Sequence, residues 1–73
     1  MNVLVIGSGG REHAICRSFR RSPKVENLFC ANGNAGIAQV AECVRIMPDD
    51  VHGLANFAEA NAIGLTFVGG EVW

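Results

Sequence analysis

Apolar and polar positions along this chain sort into short apolar runs separated by amphipathic stretches. Val3-Leu4-Val5-Ile6 is continuously apolar after Asn2, as a strand covered on both faces requires, and predicts a first strand over residues 2–6. Residues 11–21 place Ala14, Ile15 and Phe19 on one face of a helix, with Arg17, Arg20 and Arg21 mostly off it. Arg20, Arg21 and Lys24 gather at the negative end of that helix, and Ser22-Pro23 stops it. A second strand is predicted over 25–31, densest at Leu28-Phe29-Cys30-Ala31. Asn32-Gly33-Asn34-Ala35-Gly36 reads as a turn-rich loop running toward one helical turn at 37–39. A short third strand is expected at about 43–46.

Pro48-Asp49-Asp50 opens a second full helix, with Asp49 as the expected N-cap. Val51, Leu54, Ala55, Ala58 and Ala62 recur at helical spacing as its core face, and Gly53 weakens it slightly. Residues 61–64 end this helix, and 65–68 form a fourth strand closing on Gly69-Gly70-Glu71. Strands alternating with helices imply a right-handed α/β fold, Rossmann-like, with a four-stranded, mostly parallel sheet and two main helices. Ligands in such sheets sit at the carboxyl ends of strands, which singles out loops 7–11, 32–36 and 69–71. Two helices are few for covering both faces of a parallel sheet, so the chain reads as one truncated domain of a larger fold.

Composition changes this picture little. With 49% apolar residues, 18% charged and a net charge of −1, the chain is neither disordered nor a nucleic-acid coat. Its one basic cluster (Arg17, Arg20, Arg21, Lys24) reads as a solvated face. Cys16, Cys30 and Cys43 are odd in number, lack a C-x-x-C pair and lie among apolar residues. They read as reduced, buried thiols of a cytoplasmic protein. No apolar run nears the ~20 residues of a membrane helix, and with Met1 leading straight into the first strand no signal peptide is expected.

The candidate chemistry lies in Gly7-Ser8-Gly9-Gly10-Arg11. Glycines let the backbone turn sharply and approach a ligand closely, and the helix start behind them favours anions, usually phosphate. A dinucleotide fingerprint needs a third glycine, where this chain has Glu12, and an acid at the end of the second strand, where it has Ala31 and Asn32. Glu26 sits at the start of that strand and points away. A Walker loop is excluded, since no G-K-[ST] follows the glycines. A tight turn with close helix packing would use glycines too, but seldom so densely beside an arginine suited to phosphate.

Gly7-Ser8-Gly9-Gly10-Arg11-Glu12-His13-Ala14 resembles the amino-terminal signature of the phosphoribosylamine–glycine ligase family. Ser22-Pro23-Lys24-Val25, Gly33-Asn34-Ala35-Gly36 and Leu65-Thr66-Phe67-Val68-Gly69 followed by Glu71 are similar to later family segments, in register along the chain. Two positions depart: Asn32 stands where the family usually has proline, and Gly70 replaces the proline before Glu71. The resemblance implies a pre-ATP-grasp domain, here residues 1–73 and incomplete, that helps to bind 5-phosphoribosylamine. It implies ATP-dependent joining of glycine to that amine in purine biosynthesis. ATP and Mg2+ would be held by an ATP-grasp domain absent here, leaving this chain inactive alone and without a cofactor of its own. The alternatives are a free-standing phosphosugar- or nucleotide-binding module and an NAD-binding fragment.

By that resemblance the substrate-binding candidates are Gly7, Gly9, Gly10, Arg11, Glu12, Asn34, Gly36 and Glu71, with no catalytic residue and no metal ligand. Each has a plainer role open to it. Arg11 suits phosphate and suits solvent, while Glu12 complements a helix dipole. Asn34 and Gly36 suit an ordinary turn, and Glu71 a solvated terminus. His13 and Cys16 lie one helical turn apart, but zinc needs about four ligands, so a packed cysteine beside a polar histidine is the reading kept.

Overall fold

The most apolar run of the chain becomes its central strand. In the computed structural model, which describes residues 1–68, Val3, Leu4 and Val5 of β1 (Asn2–Gly7) are fully buried. β2 (Asn27–Asn32) pairs parallel along one side of β1, and β4 (Ile63–Val68) pairs parallel along the other. β3 (Glu42–Val44) extends the β2 side, giving the all-parallel order β3-β2-β1-β4.

Outward and return crossovers of a right-handed parallel sheet use opposite faces, and the side chains divide accordingly. From α1 (Gly10–Arg20) and the 3-10 turn Ile37–Gln39, Ile15, Cys16, Phe19 and Ile37 pack with Val3, Val5, Leu28 and Cys30. On the other face, Leu54 and Phe57 of α2 (Val51–Ala60) pack with Leu4, Ile6 and Ala31. The Phe57 ring meets Phe29 edge-on, 5.1 Å between centroids at 81°, the arrangement aromatic quadrupoles favour.

The element order agrees with the sequence reading, while several boundaries and faces do not. Ala14 is exposed, and the inner face of α1 runs through Ile15, Cys16 and Phe19. β2 starts at Asn27, because Val25 still belongs to a turn in which its amide donates to Ser22 O, while the Glu26 amide donates across to Met1 O. β3 stops at Val44, whose carbonyl accepts from the Ile46 amide. β4 begins two residues before the expected 65, after Ala62 turns the chain at φ +51°.

Asp50, not Asp49, caps α2: its Oδ1 accepts from the Gly53 amide at 2.9 Å. The expected core face of α2 is only half right. Leu54 and Ala58 are half-buried, whereas Val51, Ala55 and Ala62 are exposed, and Phe57 does the packing that they were expected to do. Of the cysteines, Cys16 and Cys30 are buried and Cys43 is half-buried; all three are free thiols. Among the described residues no helix is long and apolar enough to cross a membrane.

Candidate functional site

The carboxyl ends of β1 and β2 are neighbours, since Gly7 pairs with Asn32, so loops 7–11 and 32–36 rise side by side. Two contacts join them. Asn34 Nδ2 donates to Ser8 O at 2.6 Å, and the Gly33 amide donates to Gly7 O at 3.1 Å. The Asn34 side chain is engaged at both ends, because its Oδ1 accepts from the Ile37 amide at 2.8 Å. The same side chain therefore starts the 3-10 turn and tethers the glycine loop.

Each glycine of this region has a distinct steric setting. Gly7 lies at φ +138°, and a Cβ there would fall on the Glu12 side chain, 2.6 Å from its Cγ. Gly36 lies against the His13 ring, where a Cβ would come within 3.0 Å of Cε1. Gly33, at φ +72°, is crossed by the Cys43 thiol. Gly9 and Gly10 differ from all of these. A Cβ at Gly9 would make only ordinary contacts with the Glu12 carboxylate, from 3.5 Å, and one at Gly10 would meet nothing within 4 Å. Both are exposed.

Gly9 is the N-cap of α1 and offers no side-chain cap. The first helical bond runs from the His13 amide to Gly9 O at 3.1 Å, so the amides before it have no helical carbonyl to donate to. They carry the positive end of the helix dipole. Arg11 follows, exposed and, among the described residues, without an ionic partner; the one ion pair there joins the Met1 amino group to Glu26 at 3.2 Å, at the opposite end of the sheet. Glu26 thus faces away from the loops, as its place at the start of β2 requires.

Below the loop, Cys30 Sγ donates to Gly7 O at 3.2 Å. Cys30 and Cys16 share a hydrogen bond that, with burial, pushes the Cys30 pKa well up, and the same bond lowers that of Cys16 against the opposing effect of burial. Cys30 therefore stays a protonated donor beneath the glycine turn. Among the described residues no three His, Cys, Asp or Glu side chains converge to hold a metal ion.

The candidates thus fall into two groups. Gly9, Gly10 and Arg11 line the open rim, whereas Gly7, Glu12, Asn34 and Gly36 are packed or hydrogen-bonded into the frame beneath it. Glu71, with Gly69 and Gly70, lies outside the described residues. Sequence reasoning missed Ser8, whose carbonyl takes the tether; a backbone acceptor leaves no trace in residue type.

The sequence profile of the family described as "Phosphoribosylglycinamide synthetase, N domain" matches residues 1–73. The chain belongs to that family. It is 58% identical over 72 residues to a phosphoribosylamine–glycine ligase of Halalkalibacterium halodurans, with 99% of this chain covered. It is 51% identical over 72 residues to the same-named protein of Caldanaerobacter subterraneus subsp. tengcongensis (99% covered) and 52% over 73 residues to that of Pasteurella multocida (97% covered). The chain spans 17% of the length of each of these relatives. The glycine-rich rim is accordingly that of a phosphoribosylglycinamide synthetase N domain.

Proposed function

We propose that this chain is the amino-terminal, phosphoribosyl-binding part of a cytoplasmic, ATP-dependent ligase that joins glycine to 5-phosphoribosylamine in purine biosynthesis. The observation that carries this reading is the freedom of Gly9 and Gly10. Nothing in the fold requires glycine there, since a Cβ would meet ordinary contacts or none. A ligand that must approach the backbone closely does require it. The amides of residues 9–12 then supply donors and a positive dipole end for the substrate phosphate, with Arg11 as a mobile forked cation at the rim. The frame of Gly7, Glu12, Asn34 and Gly36 holds the rim in place, and Glu71 is proposed as a further substrate contact.

In this reading ATP and Mg2+ are held by sequence outside this chain, in an ATP-grasp domain, and no step of the ligation is completed by residues 1–73 alone. Glu12 at the third position of the fingerprint counts against a dinucleotide, because its side chain fills the space beside Gly7. Titrating the 15N-labelled chain with ribose 5-phosphate and, separately, NAD tests the reading. Amide shifts at residues 8–11 and 34–36 are expected with ribose 5-phosphate. Tighter binding of NAD, or ribose 5-phosphate shifts confined to other surfaces, would refute it, as would ligase turnover by the chain alone.

A further inference from the structure

Each of the two ligand-facing loops accepts a hydrogen bond from a thiol. Cys30 Sγ donates to Gly7 O at 3.2 Å, and Cys43 Sγ donates to Asn34 O at 3.6 Å. Cys30 and Cys43 are register partners on the parallel strands β2 and β3, and both pack in the core on the α1 face of the sheet. Neighbouring strands lie about 4.8 Å apart, within the ~4.4–6.8 Å between Cα atoms that a disulfide spans. The two thiols differ in access. Cys30, like Cys16, is wholly buried, whereas Cys43 is half-buried and lies against Gly33 at the start of the second loop. Phosphate binding needs a thiol at neither position.

We propose that Cys43 and Cys30 form a reversible redox site, in which Cys43 reacts with a low-molecular-weight disulfide from solvent and passes the oxidation to Cys30. The Cys43 thiolate attacks one sulfur of the reagent RSSR, giving a mixed disulfide and an RS anion that takes up the proton Cys43 gave to solvent. The Cys30 sulfur then attacks the Cys43 sulfur. The Cys30–Cys43 disulfide forms, and the second RS group leaves with the Cys30 proton as RSH. Two protein thiols are thereby oxidised, and one RSSR is reduced to two RSH. Burial and the hydrogen bond with Cys16 hold the Cys30 proton, so the second step is the slower and the mixed disulfide comes first. In the finished bond neither sulfur has a proton to donate. Gly7 O and Asn34 O both lose their thiol donors, and the two loops slacken. That oxidation weakens phosphate binding rests on the function proposed above; the bond and the loosening stand without it.

Incubating the 73-residue chain with glutathione disulfide tests this. Peptide mapping by mass spectrometry is expected to show a glutathione adduct on Cys43, then a Cys30–Cys43 disulfide with Cys16 still open to alkylation after unfolding. Dithiothreitol should reverse both. Hydrogen exchange at residues 8–11 is expected to quicken at least about fivefold in the oxidised chain, the scale of one lost hydrogen bond. Cys43→Ser, whose hydroxyl can still donate to Asn34 O, is expected to keep the fold and to leave Cys30 unmodified. An adduct that goes no further, a Cys16–Cys30 disulfide, oxidation of Cys30 in Cys43→Ser, or unchanged exchange in the oxidised chain each overturns the proposal. Ribose 5-phosphate, titrated into both forms, is expected to bind the oxidised chain about threefold or more less tightly, as fewer molecules hold the competent loop. Failure to bind even the reduced chain refutes the phosphoribosyl site and leaves the redox site standing, whereas equal binding to both forms refutes the link between them.

Discussion

The Glu12 carboxylate occupies the space that a side chain at Gly7 would need. The two residues form one device: a left-handed turn closes β1, and the third residue of the following helix folds back into the gap. Gly7→Ala is expected to destabilise the chain by about 3 kcal/mol, from backbone strain and overpacking together. Glu12→Ala added to it recovers the overpacking part and leaves the strain. Urea midpoints of the two single variants and the double variant check this, and simple additivity would mean that the side chains do not share that space.

Gly10→Ala separates fold from function. Position 10 is the first residue of α1, and a Cβ there meets nothing within 4 Å. Stability is therefore expected to hold or rise by about 0.4–1 kcal/mol through the less flexible unfolded chain. Affinity for ribose 5-phosphate is expected to fall at least about tenfold, some 1.4 kcal/mol, as the methyl group keeps phosphate from the amides. Unchanged affinity in a stable variant would remove close backbone approach as the reason for glycine.

Asn34 ties the second loop to the first through Ser8 O and starts the 3-10 turn through the Ile37 amide. Asn34→Ala is expected to cost about 2 kcal/mol for two lost bonds. Hydrogen exchange at residues 8–11 should quicken with it, since the glycine loop loses its tether. Asn34→Asp keeps the acceptor but cannot donate to Ser8 O, so it should keep the turn and still free the loop. Slow exchange at residues 8–11 in both variants would show that the tether is unimportant.

Much of this was legible because β1 and the glycine loop obey strong local rules. Four consecutive apolar residues ending in glycine have few other homes than a central parallel strand followed by a ligand-facing turn. The helix faces were less legible. Ala14 and Cys16 are both small and apolar, and only the crossing of α1 over β1 and β2 decides that Cys16 goes inward. Val51 and Ala55 of α2, and Ala62 just beyond it, were read as core because periodicity reports that a face is apolar, not what covers it. In the site, residue types pointed to the loops but could not divide rim from frame. That division depends on which side chains fold under which glycines, as Glu12 does at Gly7 and His13 at Gly36.

Asp50 and Gly53 offer a second test of shared space. The Asp50 carboxylate folds over the Gly53 amide, and a Cβ at Gly53 would lie 2.8 Å from Asp50 Cγ. Asp50→Ala is expected to cost about 1 kcal/mol as the cap is lost. Gly53→Ala, which in an ordinary helix interior gains about 0.8–1 kcal/mol, should here give no gain or a loss, because it displaces the cap. In the Asp50→Ala background the usual gain should return. Thermal melts of all four chains measure this, and a full gain from Gly53→Ala in the presence of Asp50 would contradict the packing.

Cys30 gives the chain a stability that depends on pH. Its thiol donates to Gly7 O at 3.2 Å, and the bond with Cys16 together with burial holds its pKa above the ordinary value. The folded chain therefore keeps a proton that the unfolded chain releases above about pH 8.5. Where the native state binds more protons, stability falls as pH rises, so the contribution is complete below that pH and declines above it by up to about 1.4 kcal/mol per pH unit. Cys16→Ala with Cys30→Ala leaves small cavities and lowers stability at pH 7, but it removes this part of the slope; Cys30→Ala alone would not, because Cys16, buried and without the bond that lowers its pKa, would hold the proton instead. Urea midpoints between pH 7 and 10 are expected to converge for the two chains as pH rises. Parallel curves would mean that the Cys30 proton is not held by the fold.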